Sequence, residues 1–538
     1  MKLLPRLDAA SVRRLFFAAF GLIHVAAFAS LAVQIVGLVG EHGILPVGEF
    51  LRQYEAWGEQ SGRLADVKHA FPTFCWWSAG DAALRAQCGA GVVLGLLLFL
   101  GVAPLLVLPC LWALYLSLTV AGQEFLQFQW DTLLLETTFF SIWFAPGGLL
   151  PWGPPRWLLL KRRRPEDPVP APPTSLSRFA LRLLLFRFMF ASGYVKLSFG
   201  DRTWRELTAL TFHYWTQPLP TPLGWYAHQI SLPLQKLSCA AMFVVELAVP
   251  WLLFAGRLGR NLFGLATIGL MVGIGATGNY GFFEPLTIAL ALLLLERRTP
   301  ASKRDDGGAV PRERHPSELA RVGRVVGASI AAGAALLGLI GFGAQLVRPR
   351  LKLEEGSRLQ RPIDLALDAV EWLAAPTDEP EGEPRPRLAA LHEWLAPYRT
   401  FNTYGLFRVM TTTREEIVVE GSDDGKEWRA YEFRDKPGDP SAPPCLCQPH
   451  MPRLDWQMWF AAFGPPPEWF HQFVQRLLEG EPSVLSLLEK NPFPDHPPEF
   501  VRALLYDYRF ATLETRRATG DWWFRRESRP YLRPVSSR

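Results

Sequence analysis

From Phe401 to Gly464 the chain reads FNTYGLFRVMTTTREEIVVEGSDDGKEWRAYEFRDKPGDPSAPPCLCQPHMPRLDWQMWFAAFG. Leu406–Thr413, Glu416–Gly421 and Trp428–Phe433 alternate apolar with polar residues and are rich in β-branched and aromatic side chains, the pattern of half-buried strands. Ser422–Gly425 (SDDG) supplies a turn between two of them. The apolar spacing then changes to the helical period over Leu454–Phe463 and Pro467–Leu478, and Tyr506–Phe510 and Trp522–Arg526 fit closing strands. A soluble β-rich, β-sandwich-like domain with extra helices is therefore predicted over residues 348–538. Trp456, Trp459 and Phe460 fall at i, i+3 and i+4, which makes one apolar stripe, either packed on the sandwich or open to a partner.

Upstream of that domain the chain changes character. Its 538 residues are 49% hydrophobic and 20% charged, with a mean hydropathy of +0.09, which suits a membrane part joined to a water-facing part. Apolar runs of span length sit near Leu15–Gly40, Ala86–Leu100, Pro104–Ala121, Phe125–Leu150, Phe179–Phe199, Ser238–Gly256, Asn261–Thr277, Phe282–Leu295 and Val325–Val347. The fold expected is thus a polytopic α-helical membrane bundle of about nine spans followed by the β-rich domain. Spans 1–4 occupy residues 1–150, a basic and proline-rich linker 151–178, spans 5–8 residues 179–296, a second basic linker 297–324, and the last span 325–347. Ala27-Phe28-Ala29 has the look of a signal-peptidase site, but the apolar run continues to about Gly40, and the segment reads as a retained anchor. Placing the N-terminus in the cytoplasm puts Lys161–Arg164, Arg257, Arg260 and Arg297–Arg324 inside and the acidic-leaning Glu41–Asp81 outside. The C-terminal domain then lies outside the cytoplasm, in a periplasm or an endoplasmic reticulum lumen. The stretch Pro376–Arg387 (PTDEPEGEPRPR) reads as a disordered insertion.

Several function classes drop out. A net charge of +5, with basic residues confined to linkers, gives no nucleic-acid footprint. Cys75, Cys88, Cys110, Cys239, Cys445 and Cys447 form neither a disulfide framework nor a zinc spacing, and no metal or cofactor is expected. Cys445 and Cys447 form a C-x-C in a proline-rich loop, either free, paired between molecules, or exchanging disulfides with a client. No nucleophile elbow, P-loop or zincin motif occurs, so the chain is not itself read as a lipase.

Ionisable residues inside spans are costly in hydrocarbon and so are candidates for function. They are His24, Asp131, Glu136, Arg187, Lys196 and Glu246. The structural reading pairs Asp131 or Glu136 with Arg187 across neighbouring helices. Five residues apart, Asp131 and Glu136 lie roughly 140° apart around a helix, so one should face the fifth span and the other a different neighbour. Lys196 is either poised among apolar groups, which would favour its neutral form, or a side chain that snorkels to the interface. The loop Gly200–Ile230, dense in aromatics and prolines, reads as a shelf at the membrane face for a client or for lipid, with His213 and His228 its titrating groups near neutral pH.

Four phrases, NTYGLFRVMT, PRLDWQMWFAA, FQWDTLLLE and the Gly200–Ile230 loop, resemble the lipase maturation factor family. The resemblance implies a membrane-bound maturation factor, its vertebrate members residing in the endoplasmic reticulum, that assists exported lipases or other clients, with membrane lipids as the further partner. Trp456, Trp459, Phe460, His213 and His228 are then the client-binding candidates. At Glu284-Pro285 the chain departs from that family's pattern, which has Asn-Leu. FASGYVKL resembles the lysine-bearing helix of the vitamin K-dependent carboxylase superfamily, which implies an alternative. This would be an intramembrane enzyme on a lipid or quinone-like substrate, with Lys196 as base and Asp131 or Glu136 as orienting groups. VVEGSDDGKEWRAYEF is similar to a phrase of jelly-roll carbohydrate-binding modules, which implies a further alternative, a membrane-anchored sugar- or lipid-binding module.

Overall fold

A computed structural model describes residues 9–153, 170–295, most of 326–343 and 387–536. Most of both basic linkers, the insertion up to residue 386 and the end of the last expected span lie outside the described residues.

Helix α1 (Ala9–Ala32) is apolar on nearly every face, and it packs along α2 (Asp81–Leu100). Glycines let these two backbones touch. A Cβ on Gly21 would fall 2.4 Å from the Phe99 nitrogen, and one on Gly91 would fall 2.2 Å from the Phe28 ring. Then come α3 (Pro104–Ala121), opened by its N1 proline, α4 (Gln129–Phe144), and α5 (Ser175–Ser198), N-capped by the Thr174 side chain. α6 (Leu232–Phe243) runs through a π-turn at Val244–Ala248 into a 3-10 segment, Val249–Phe254, that holds Pro250. α7 (Gly256–Thr277) and α8 (Phe283–Leu292) complete this part.

Five of these are long and apolar enough to cross a membrane: α1, α2, α3, the α6 run Leu232–Phe254, and α7. α4, with 16 residues, and α8, with 10, are shorter, and α5 carries Arg182, Arg187 and Lys196. α7 buries the smallest share of its residues, 28%, with α2 and the α6 run at 33% each, and the α6 run and α7 expose Leu234, Leu237, Trp251, Leu258 and Val272.

In the C-terminal part, β1 (Glu415–Ser422), β2 (Arg429–Ala430), β5 (Phe500–Phe510) and β6 (Trp523–Ser536) form an antiparallel sheet in the order β2-β1-β5-β6. β3 (Glu432–Phe433) and β4 (Leu488–Lys490) form a separate ladder. Ile417 and Val419 face inward opposite Leu505 and Ala503. Helices α9 (Arg453–Ala461) and α10 (Glu468–Glu479) cover the sheet, α10 through Trp469, Phe470, Phe473 and Leu477. At the turn, Ser422 Oγ accepts from the nitrogen of Gly425, whose φ of 70° suits glycine. The expected strand Trp428–Phe433 breaks at Tyr431, whose N–H turns to the Val419 carbonyl.

Leu406–Thr413 is a correction. It turns at Leu406–Phe407, where Phe407 has a φ of 52°, bends at Arg408–Val409 and joins no strand among the described residues, and side chains of the membrane part hold the backbone in and beside it. Gln129 Oε1 accepts from Gly405 N–H at 3.1 Å, Trp204 Nε1 donates to the Phe407 carbonyl at 2.9 Å, and Asp201 accepts from Met410 N–H. Buried apolar residues of the two parts form one continuous cluster, from Phe16 through Trp130 to Leu505.

Candidate functional site at the seam of bundle and sheet

Asp131 stands in the first turn of α4 with no exposed surface. Its partner is not Arg187. Arg453, from the first turn of α9 and 1% exposed, donates to both Asp131 oxygens at 2.7 Å and to the Phe125 carbonyl at 3.2 Å. Tyr115 on α3 donates to the same carboxylate at 2.6 Å. Glu136, one and a half turns further on, does face α5. It accepts from Arg187 Nη1 at 3.1 Å, from Asn402 Nδ2 at 2.9 Å and from the Tyr404 hydroxyl at 2.7 Å, while Arg187 Nη2 donates to the Asn402 carbonyl. Both carboxylates of α4 therefore clasp the C-terminal part. The NTYG and PRLDW phrases supply the far half of each clasp.

Lys196 is buried, not snorkelling. Its Nζ donates to both oxygens of Glu246 at 2.9 and 2.7 Å, and Glu246 projects from the π-turn of the α6 run. The pair lines a cavity of about 360 Å³ that also meets His213, Tyr280, Glu284 and Phe407. His24 is satisfied within the bundle, its ring nitrogens 2.9 Å from the Phe20 carbonyl and 3.1 Å from Thr138 Oγ1.

Much of the aromatic loop is covered by the sheet. Trp225 is fully buried, donates to the Ala511 carbonyl at 3.0 Å and packs beside Trp522. Arg414, just before β1, reaches back to the carbonyls of Trp215, Gln217 and Pro218 and pairs with Glu416. His213 lies edge-on to Phe407, and burial pushes its imidazole down to about 4. His228 is lowered by the same cause and rests near Phe510. Leu223 and Tyr226 remain exposed on this loop.

The Trp456 stripe divides. Trp456 is buried, with its ring 4.7 Å from Trp130 and 5.7 Å from Tyr280. Trp459 donates to the Thr216 carbonyl at 2.8 Å, while Phe460 and Phe463 are exposed against its ring. Phe463, one turn past Trp459, belongs to the open patch and was not among the expected candidates.

Asn279 fastens the C-x-C loop. Its Nδ2 donates to the Cys445 carbonyl at 3.1 Å and to Cys445 Sγ at 3.3 Å, and its Oδ1 accepts from Cys447 N–H at 3.0 Å. The thiols lie 3.9 Å apart, unbridged. The neighbouring Cys445 thiol, followed by burial, pushes the Cys447 thiol well up, which disfavours a reactive thiolate. Asp435 brings a carboxylate to the pair, and the three ligand atoms lie within 4.8 Å of one another, a donor set that could hold a soft cation. Sequence spacing gave no sign of it, because Asp435 arrives by a loop fold. His213 and His228 join no such group among the described residues.

The lipase maturation factor transmembrane domain matches residues 11–302, and the lipase maturation factor C-terminal domain matches residues 400–533. Lipase maturation factor 2 of Gallus gallus is 34% identical over 97% of this chain and 81% of its own. Lipase maturation factor 2 of Homo sapiens is 34% identical over 97% and 82%, and lipase maturation factor 1 of Bos taurus 32% over 96% and 88%. No solved structure matches. With both of its parts matched and relatives aligned along nearly its whole length, the chain is an integral membrane protein that belongs to the lipase maturation factor family.

Proposed function

We propose that this protein is a membrane-bound maturation factor whose client is an exported lipase. The carrying observation is the near full-length likeness to relatives named lipase maturation factors. The clasps through Asp131 and Glu136 hold the sheet on the bundle, so the C-terminal part is a rigid platform fixed to the membrane. The client docks on Phe460 and Phe463, the exposed end of the aromatic stripe, with Trp459 supporting them from beneath. Trp456, His213 and His228 form the seat of that platform. The relatives' names lend nothing to a lipid-modifying enzyme or a sugar-binding anchor.

The topology follows from charge. Counting α4, α5, α8 and the helical residues around 332–339 as further spans brings the total to about nine. The N-terminus is then cytoplasmic and residues 348–538 are a domain on the other side, where an exported client folds.

The test is secretion. Co-expressed with a candidate lipase, the chain should raise secreted lipase activity, and Phe460→Ala with Phe463→Ala should remove most of that gain while leaving its own level unchanged. Undiminished gain would refute the docking patch, and no gain with any exported lipase would refute the function.

A further inference from the structure

We propose that the cavity beside Lys196 is a binding site for an uncharged lipid with a hydroxyl-bearing head, entering sideways from the bilayer. It rests on the membrane reading above but needs no lipase client.

The cavity, about 360 Å³, falls within the roughly 300–1,000 Å³ of small-molecule sites. Its walls are mostly apolar, including Phe188, Met242, Met271 and Phe283, and Leu406 and Phe407 of the C-terminal part roof it. Its mouth is edged by Ser238 on α6 and by Gly269 and Gly273 on α7, all three exposed. A Cβ on either glycine would meet nothing within 4 Å. Because α6 and α7 turn Leu234, Leu237 and Val272 outward, this mouth opens on acyl chains and not on water.

The head chemistry is set by four residues. Lys196 and Glu246 satisfy each other, so among the described residues no spare cation faces the cavity to receive a phosphate or carboxylate. Tyr280 spends its hydroxyl proton on Gln217 Oε1 at 2.7 Å. Glu284 is 2% exposed, and its Oε1 has no hydrogen-bond partner among the described residues, while Gln448 Nε2 stands 3.5 Å from Oε2. A buried acceptor without a donor is costly. An incoming hydroxyl supplies the donor, an anionic head brings a charge that no free cation in the described lining offsets, and a plain hydrocarbon leaves Oε1 unmet. A partial glyceride or another lipid alcohol fits, with its head at Glu284 and its chain leaving between α6 and α7.

The experiment is photolabelling of the full chain in detergent micelles with a monoacylglycerol carrying a diazirine near the head, mapped by mass spectrometry. Labels should concentrate on cavity residues such as Met242, Met271 and Phe283. Unlabelled monoacylglycerol should compete at least fivefold better than phosphatidic acid or the fatty-acid methyl ester of the same chain. Glu284→Leu should cut labelling several-fold and Glu284→Gln, which keeps an acceptor, should restore it. Gly269→Trp with Gly273→Trp, placed in open space, should block entry without disturbing the fold. Labels spread over the outer helix faces, equal competition by phosphatidic acid or by the ester, or full labelling of the double tryptophan variant would each overturn the site. None of these readouts contains a lipase, so the site and the maturation role fail separately.

Discussion

Replacing Arg453 by Met tests whether the seam is held by charge. The substitution removes two hydrogen bonds of 2.7 Å to Asp131 and one of 3.2 Å to the Phe125 carbonyl, and leaves a carboxylate with no solvent exposure and only Tyr115 as donor. Stranding one member of a buried pair costs about 3–5 kcal/mol, and Asp131→Leu, which strands Arg453, should cost as much. The double variant Asp131→Leu with Arg453→Met strands no charge. Its loss should shrink to about 1–3 kcal/mol, set by the Tyr115 hydroxyl left without its acceptor. The coupling energy is therefore at least about 3 kcal/mol, read by denaturant unfolding in mild detergent. Tryptophan fluorescence suits the measurement, because Trp130 and Trp456 meet across the same seam with ring centroids 4.7 Å apart. Single-variant losses that add to the double within about 0.5 kcal/mol would refute the clasp.

Three further outcomes are expected. Gly21→Ala should destabilise by about 1–3 kcal/mol, since its Cβ would sit 2.4 Å from the backbone of α2, and an unchanged melting temperature would contradict that packing. Asn279→Ala should cost about 1–3 kcal/mol and raise the alkylation rate of Cys445 and Cys447 in the native protein, because it frees their loop; equal rates would show the loop is held otherwise. His213, held down to about 4 against an ordinary 6.5, takes up its proton first in the unfolded chain. Its contribution is fully present above about pH 6.5 and is lost as pH falls toward 4, by at most about 1.4 kcal/mol per pH unit. His213→Gln should flatten the acid limb of stability in that window, and an unaltered limb would dismiss the imidazole as its source.

Local pattern carried a good deal. Five of the nine span-length apolar runs fall on α1, α2, α3, the α6 run and α7, the helices long and apolar enough to cross a membrane, and the SDDG turn, β1, α9 and α10 fell near their expected places. The argument from helix angle also worked at α4, where Glu136 faces α5 and Asp131 looks elsewhere. It could not name Arg453, since nothing local marks a residue 322 positions away as the partner of Asp131. Leu406–Thr413 misled because apolar–polar alternation shows which side chains are buried and not whether a neighbouring strand is there to pair: the chain turns at Leu406–Phe407, and Trp204 and Asp201 bond its backbone instead.

By itself the sequence determined the family, the division into an apolar bundle and a sheet-rich part, and the residue types that would be expensive to bury. Those properties depend on composition and short-range periodicity, which the linear chain displays directly. Only the tertiary structure decided which charge meets which, that Lys196 belongs to Glu246, that the aromatic loop is the seat of the sheet, and that Phe463 joins the open patch. A buried charge is settled by whatever opposite charge the packing delivers within about 3 Å, and that distance is a property of the folded chain alone.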